Sequence, residues 1–128
     1  MIVKQLQDIM GTEKDIDTPN WRSCRMLLKN DEMGFSMHHT IIKAGTSTYI
    51  WYKNHLEAVY CIKGEGEIEL IESGDIYSVK PGTLYALNGH EKHYLRALSE
   101  MHMVCVFNPA LVGSEIHAED GSYPLVNE

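Results

Sequence analysis

The feature that most constrains the fold is a series of short runs in which apolar residues are continuous or alternate with polar ones. Each run has the length of a β-strand, and helical periodicity is weak along the chain. Turn-forming residues, above all glycine, separate the runs. The pattern predicts an all-β barrel or sandwich with strands over residues 24–28, 35–42, 47–52, 58–62, 67–71, 76–79, 93–98 and 101–107.

Three local predictions accompany this pattern. Gly64 and Gly66, one residue apart between two runs, favour a tight hairpin because glycine adopts positive φ without strain. The glutamates that follow, Glu67 and Glu69, are expected on its solvated face. Helical structure is limited to a short amphipathic segment at 3–10 and a turn near 20–22.

Chain length and the character of the last residues indicate how the chain is organised. A chain of 128 residues can bury one core, so we expect a single domain over 1–128. From residue 111 onward the strand pattern ends and polar residues such as Glu115 and His117 follow. This C-terminal tail, 111–128, either frays or folds as a lid over the barrel mouth.

Charge and cysteine content exclude several classes of function. The formal net charge of −7 and the pI of about 5.4 argue against nucleic acid and anionic membranes as partners. No apolar stretch is long enough to span a bilayer, and the N-terminus lacks the apolar run of a signal peptide. The three cysteines are an odd number without a CxxC pair, which favours a reducing, cytoplasmic location.

Two glycine-containing segments resemble the motifs of the cupin superfamily. The first runs from Gly45 through Glu57 to Gly64, and the second from Gly74 through Tyr85, with His93 following. The resemblance implies a double-stranded β-helix, or jelly-roll, barrel with a metal bound in its lumen. The usual histidines are absent, because Trp51, Lys53 and Tyr85 stand at their positions.

The side chains left at these positions are Glu57, Tyr85 and His93. One carboxylate, one phenol and one imidazole can hold a divalent ion and leave coordination positions open for a substrate. Such ligands suit Fe(II), Mn or Zn rather than Cu(I). Each of these side chains taken alone could equally be a hydrogen-bonded interior group, so the prediction depends on their joint spacing.

Longer segments over the whole chain resemble the ectoine synthase family. The most specific are NHLEAVY at 54–60, PGTLYAL at 81–87, CVFNP at 105–109 and GSEIH at 113–117. The resemblance implies a cytoplasmic lyase that closes N4-acetyl-L-2,4-diaminobutyrate to the compatible solute ectoine, with loss of water, during osmotic stress. It also implies a homodimer, with Ile2-Val3 available to pair with a partner's sheet edge.

The same resemblance implies the roles of individual residues. The iron ligands of the family, which uses Fe(II), fall on Glu57, Tyr85 and His93. A Lewis acid there would polarise the amide carbonyl that the α-amine attacks. The acid and base would come from Tyr52, His55, Glu115 and His117, and the substrate pocket from Trp21, Ser23, Arg25, Thr40, Tyr52, Cys105, Phe107, Glu115 and His117.

Some of these residues have a specific expected use. The planar donors of Arg25 suit the substrate carboxylate, and Trp21 and Phe107 supply aromatic walls that exclude water. Cys105, on an apolar strand, is expected to be a packed thiol and not a nucleophile. We leave His38 out of the predicted site.

Two other functions fit a barrel of this kind. A cupin without catalytic activity could bind a small ligand as a sensor, but sensors usually carry a DNA-binding or signalling domain. A metal-dependent isomerase or dioxygenase would generally need the histidine-rich site that these motifs lack. Turnover of a sugar or thiol in place of the acetylated diamino acid would favour the second alternative.

Overall fold

The computed structural model describes residues 1–125, which are mostly β-strand. The elements follow in the order α1 (Leu6–Ile9), β1 (Asp15–Asp17), β2 (Trp21–Leu27), a 3-10 helix (Lys29–Asp31), β3 (Ser36–Ile42), β4 (Ser47–Ile50), β5 (Leu56–Lys63), β6 (Gly66–Leu70), β7 (Ile76–Val79), β8 (Leu84–Leu87), β9 (His93–Ala97) and β10 (Met101–Asn108). The prediction of an all-β chain is confirmed. No helix within residues 1–125 combines the length and apolar character needed to cross a membrane.

The strands form two antiparallel sheets that enclose the core. The larger has the order β1-β2-β3-β10-β5-β8, and the smaller has the order β4-β9-β6-β7. Every second residue of β3 and of β10 is buried, as expected where one face of a strand packs inside. Inner-face residues such as Val59 and Met103 of the larger sheet and Leu95 of the smaller sheet belong to one core.

The predicted hairpin at Gly64 and Gly66 is wrong. β5 ends just before Gly64 and β6 begins at Gly66, but the two strands lie in different sheets. A Cβ on Gly64 would lie 2.1 Å from the carbonyl oxygen of Glu100, and one on Gly66 would lie 2.2 Å from that of Arg96. Both glycines therefore allow close backbone approach where the chain passes between sheets.

The other local predictions have mixed outcomes. The turn expected near 20–22 is wrong, because β2 begins at Trp21. The N-terminal helix is present but shorter than predicted. Glu67 and Glu69 are half-buried outward residues of β6, where Arg96 lies 3.5 Å and 2.8 Å from their carboxylates.

Beyond β10 the chain has no helix or strand as far as residue 125, and it packs back onto the sheets. We call residues 111–125 the C-terminal strap. Leu111, Gly113 and Glu115 are buried, whereas Ser114 and Ile116 between and after them are exposed. The first part of the strap therefore places alternate residues inward, whereas Gly121, Ser122 and Tyr123 are buried in succession.

Candidate functional site

A cavity lies between the inner faces of the two sheets and beneath the C-terminal strap. Aromatic and polar side chains dominate its wall. The lining residues are Trp21, Ser23, His38, Thr40, Ile42, Ile50, Tyr52, Glu57, Val59, Tyr85, Leu95, Met103, Cys105, Phe107, His117 and Tyr123. These include nine of the thirteen predicted site residues; the other four, Arg25, His55, His93 and Glu115, lie outside this lining.

Strands of both sheets carry the predicted metal ligands. Glu57 lies opposite Leu87, and Tyr85 lies opposite Val59, in the antiparallel pair β5 and β8. Because side chains alternate along a strand, Glu57 and Tyr85 are diagonal neighbours on the same inner face. His93 lies on β9 in the facing sheet.

Tyr52 lies near His93. Its ring centroid is 6.5 Å from that of His93. Burial and the nearby charges of Tyr123 and Glu57 raise the pKa of the Tyr52 hydroxyl well above its usual range.

The protonation of His93 fits the role of a metal ligand. Its Nδ1 lies 3.0 Å from the carbonyl oxygen of Glu91, and it must carry the proton because a carbonyl can only accept. In the neutral ring Nε2 then has a free lone pair, and this buried atom has no hydrogen-bond partner among residues 1–125. A backbone carbonyl on one nitrogen and a metal on the other is the usual arrangement of metal-binding histidines.

Burial of Glu57 and Tyr85 also suits a cation. Desolvation raises the pKa of the Glu57 carboxyl to about 8, because no cationic side chain compensates the buried charge. Burial and the Glu57 charge raise the pKa of Tyr85 well above its usual range. Within residues 1–125 no three His, Cys, Asp or Glu side chains form a metal cluster, so a three-donor site here requires the Tyr85 phenol.

Tyr52 and His117 form a hydrogen-bonded pair at the cavity wall. The Tyr52 hydroxyl lies 2.8 Å from His117 Nε2. Burial lowers the pKa of His117 to about 4, with further lowering by the charges of Arg25 and His93. The imidazole is therefore neutral at pH 7, and in the tautomer with its proton on Nδ1 the Nε2 accepts the hydrogen bond from Tyr52, which retains its proton.

Arg25 and Glu115 meet behind the cavity and join β2 to the C-terminal strap. Arg25 is fully buried, and its Nη1 donates to the carbonyl oxygen of Gly113 at 3.0 Å and lies 4.0 Å from Glu115. Both carboxylate oxygens of Glu115 accept backbone N–H groups, from Val112 and from Gly113, each at 2.8 Å. Glu115 therefore holds the turn of the strap, and Arg25 Nη2 remains without a partner.

Cys105 and His55 are both buried, but in different surroundings. Cys105 lies in the cavity beside Glu57 and Thr40, and burial raises the pKa of its thiol well above its usual range. The neutral thiol agrees with its predicted packing role. His55 lies outside the cavity, edge-on to Phe107 and Tyr123, with its Nδ1 lacking a partner.

Sequence reasoning missed His38 as a cavity residue. Its ring is buried, with Nδ1 3.2 Å from the Ser23 hydroxyl and Nε2 3.1 Å from the Ser36 hydroxyl. The alternation of β3 contains the signal, because His38 is two residues before Thr40 and must share its inward face. Tyr123 of the strap is a second lining residue outside the predicted set.

Trp51 does not replace a cupin histidine in the cavity. It is half-buried outside the lining, and the ammonium groups of Lys53 and Lys92 lie 5.1 Å and 4.6 Å from its ring centroid. The sequence position of the usual cupin histidine is therefore occupied by a half-buried aromatic residue at the surface, which is not a substitute metal ligand.

Comparison with known proteins identifies the family. The family model described as ectoine synthase matches residues 1–127. The L-ectoine synthase of Oceanobacillus iheyensis is 60% identical over 128 residues, which cover 100% of both chains. A crystal structure of ectoine synthase from P. lautus superposes with a TM-score of 0.89 at 63% identity, covering 100% of this chain and 92% of that one.

A more distant likeness concerns the fold alone. A cupin domain of a transcriptional regulator from Enterobacter cloacae, 17% identical, superposes with a TM-score of 0.59 over 70% of this chain and 96% of that one. The predicted cupin fold is thereby confirmed. By its whole-length match and its close relatives, the chain belongs to the ectoine synthase family.

Proposed function

We propose that this chain closes N4-acetyl-L-2,4-diaminobutyrate into ectoine with loss of water, as a carbon-oxygen hydro-lyase. The observation that carries this proposal is the buried cavity whose lining contains the Tyr52–His117 pair together with Glu57 and Tyr85, with the His93 ring 6.5 Å from that of Tyr52. Membership of the ectoine synthase family supports the choice of substrate.

The reaction joins two ends of one flexible molecule. The α-amine attacks the carbon of the acetamide group, a C–N bond forms, and the carbonyl oxygen leaves as water. Side chains on paired strands hold the substrate in the folded shape that this attack requires, which lowers the entropic part of the barrier. Trp21 and Phe107 form buried aromatic walls that exclude water from the reacting groups.

Glu57, Tyr85 and His93 would hold a ferrous ion. When bound, this ion supplies Lewis-acid polarisation of the amide carbonyl, which makes a poor electrophile attackable. The free lone pair of His93 Nε2 and the uncompensated buried carboxyl of Glu57 support this assignment.

Tyr52 and His117 carry out the proton transfers of the reaction. The departing oxygen must gain two protons, and the attacking nitrogen must lose them as the C=N bond of the ring forms. The Tyr52 hydroxyl retains a proton that it can give to the leaving oxygen, and unprotonated His117 Nε2 accepts at 2.8 Å from it. A hydrogen-bonded pair of this kind can pass a proton between the two reacting groups.

Arg25 supplies a charge for the substrate carboxylate. Its Nε and Nη1 have partners in Ser23 and Gly113, whereas the buried Nη2 has none. A free guanidinium donor is suited to a carboxylate. The Nε partner Ser23 lines the cavity, so the guanidinium group lies directly behind the cavity wall.

The cellular setting is part of the proposal. We place the chain in the cytoplasm, as its three buried free cysteines favour, with ectoine as a solute made under osmotic stress. We also place it in a homodimer, for which the exposed Ile2 and Val3 offer apolar contact surface.

Product formation tests the proposed reaction. Purified protein with Fe(II) is incubated with N4-acetyl-L-2,4-diaminobutyrate, and the ring methyl signal of ectoine is followed by proton NMR. We expect conversion to ectoine and no turnover of sugars or thiols in parallel samples. Binding of the substrate without any conversion would indicate a cupin that binds a ligand without catalysis.

A further inference from the structure

We propose that Tyr123 of the C-terminal strap is a positioning residue, whose ring completes the cavity wall and keeps the Tyr52 hydroxyl on His117. This inference rests on the proposed function, because it concerns the proton-handling pair of that reaction. It adds to the site a residue of the C-terminal strap that the predicted set did not contain.

The contacts of the Tyr123 ring carry the inference. The ring is buried and stacks on Tyr52, with centroids 5.1 Å apart and planes at 16°. Its centroid is 4.7 Å from that of His117 and 5.5 Å from that of Phe107. One ring thus contacts both members of the hydrogen-bonded pair and the wall beside them.

These contacts restrict how the pair can move. Aromatic rings in stacked or edge-on contact stabilise each other beyond the effect of area burial. With Tyr123 against them, Tyr52 and His117 keep the orientation that gives their 2.8 Å hydrogen bond. Without this ring, water could reach both side chains from the strap side.

The strap residues around Tyr123 fix its position. Asn54 Nδ2 donates to the carbonyl oxygen of Tyr123 at 3.0 Å, and the Trp51 N–H donates to that of Gly121 at 2.9 Å. Gly121 has φ of +80°, and a Cβ there would lie 2.9 Å from the ring of Tyr49. The backbone leading to Tyr123 is therefore anchored to the segment after β4. These anchors are separate from the Arg25–Glu115 contact.

Tyr123 also faces the predicted carboxylate-binding group. The guanidinium carbon of Arg25 lies 5.6 Å from the centroid of the Tyr123 ring, within the range of a cation–π contact. The ring therefore covers Arg25 as well as the Tyr52–His117 pair.

Kinetics of two substitutions test the proposal. Tyr123→Leu removes the ring and should lower kcat about tenfold or more with a smaller change in KM, because stacking on two aromatic partners is lost. Tyr123→Phe keeps the ring and should remain within about threefold of the natural chain. Tyr77→Leu, at an exposed tyrosine of β7, is the matched control and should leave kcat unchanged. A Tyr123→Leu kcat within twofold of the natural value, or equal losses in the Leu and Phe variants, would overturn the proposal.

A second measurement does not depend on activity. In a Trp51→Phe background the remaining tryptophan is Trp21, whose ring centroid is 5.2 Å from that of His117. We expect Tyr123→Leu to increase acrylamide quenching of Trp21 severalfold, and Tyr123→Phe to leave it unchanged, at a temperature at which circular dichroism shows that both variants are folded. Unchanged quenching in Tyr123→Leu would contradict the inference. If even the natural chain formed no ectoine, the proposed function would fail, while the quenching result would still decide the position of Tyr123.

Discussion

The strands of the barrel wall and the C-terminal strap both supply side chains to the cavity, but they hold them in different ways. Glu57, Tyr85 and His93 lie on strands whose backbones are hydrogen-bonded to neighbours on β10, β5, β4 or β6. His117 and Tyr123 lie on a segment without helix or strand, fixed by single contacts from Arg25, Asn54, Lys53 and the Trp51 amide. Displacing a wall residue requires breaking a sheet, whereas the strap can detach contact by contact.

The difference suggests that the barrel wall and the C-terminal strap have separate functions. Rigid strands suit the metal ligands, whose geometry must be kept within a narrow range. A segment held by few contacts belongs to the low-stability part of a protein and can open without global unfolding. We therefore expect wall variants to change metal binding and chemistry, and variants of the contacts that anchor the strap, as distinct from His117 and Tyr123 themselves, to change access and closure.

The largest effect is expected for a ligand in the wall. Glu57→Gln removes the carboxylate, and we expect loss of bound iron and a fall in activity of at least about 100-fold. Iron per chain and ectoine formation are measured together. Glu69→Gln on the outer face of β6 is the control and should retain both. Full iron content in Glu57→Gln would show that the ion binds elsewhere.

The next effect concerns the contact between wall and strap. Tyr52→Phe removes the hydroxyl that donates to His117, and we expect kcat to fall about 100-fold with little change in Tm, because general acid catalysis is lost. Tyr49→Phe is the control and should leave kcat unchanged, because the Tyr49 ring contacts Tyr94 and does not line the cavity. A Tyr52→Phe variant with normal kcat would remove Tyr52 from the proton transfer.

A smaller, local effect is expected within the strap. Glu115→Gln weakens the acceptors of the Val112 and Gly113 amides, and hydrogen exchange at these amides should be faster by about tenfold or more. Amides in β10 should be unaffected. Glu119→Gln, an exposed strap residue, is the control. Equal exchange in natural chain and Glu115→Gln would mean that other contacts hold this turn.

The smallest effect is expected for the exposed ion pair of the strap. Lys53 and Asp120 lie 2.5 Å apart, with side chains 43% and 34% exposed, so solvent and salt screen them. Lys53→Ala should raise KM less than about threefold, and the difference should disappear in about 1 M salt. Lys92→Ala removes the other cation beside Trp51 and should show no such salt dependence. A large, salt-insensitive rise in KM would show that Lys53 acts in another way.

The wall was more predictable than the strap for a physical reason. Alternation with period 2 depends on neighbouring residues, so most strands could be predicted from short stretches of sequence. β1 and β8 were missed because they are only three and four residues long, and Leu84 and Ala86 of β8 are exposed. Gly64 and Gly66 allow the close approach of backbone at Glu100 and Arg96, which are distant in sequence. Local sequence does not contain this contact, so the two glycines were predicted to form a hairpin.

The strap illustrates what local sequence does not contain. Its anchors join residues far apart in the chain, such as Arg25 with Gly113 and Lys53 with Asp120, so both fraying and folding over the barrel remained open. The resemblance to a family supplied Glu115 and His117 as candidate site residues. It did not predict that the Glu115 carboxylate accepts the Val112 and Gly113 N–H groups. His38 could have been predicted, because alternation on β3 aligns it with Thr40.

Titration of metal-stripped protein with Fe(II) tests the central claim most directly. Protein treated with a chelator is supplied with increasing Fe(II) under reducing conditions, and ectoine formation is measured at each step. We expect no product from the stripped protein and a rise that saturates at one iron per chain. Full activity in the stripped protein, or no product at any iron level, would contradict a metal-assisted ring closure in this cavity.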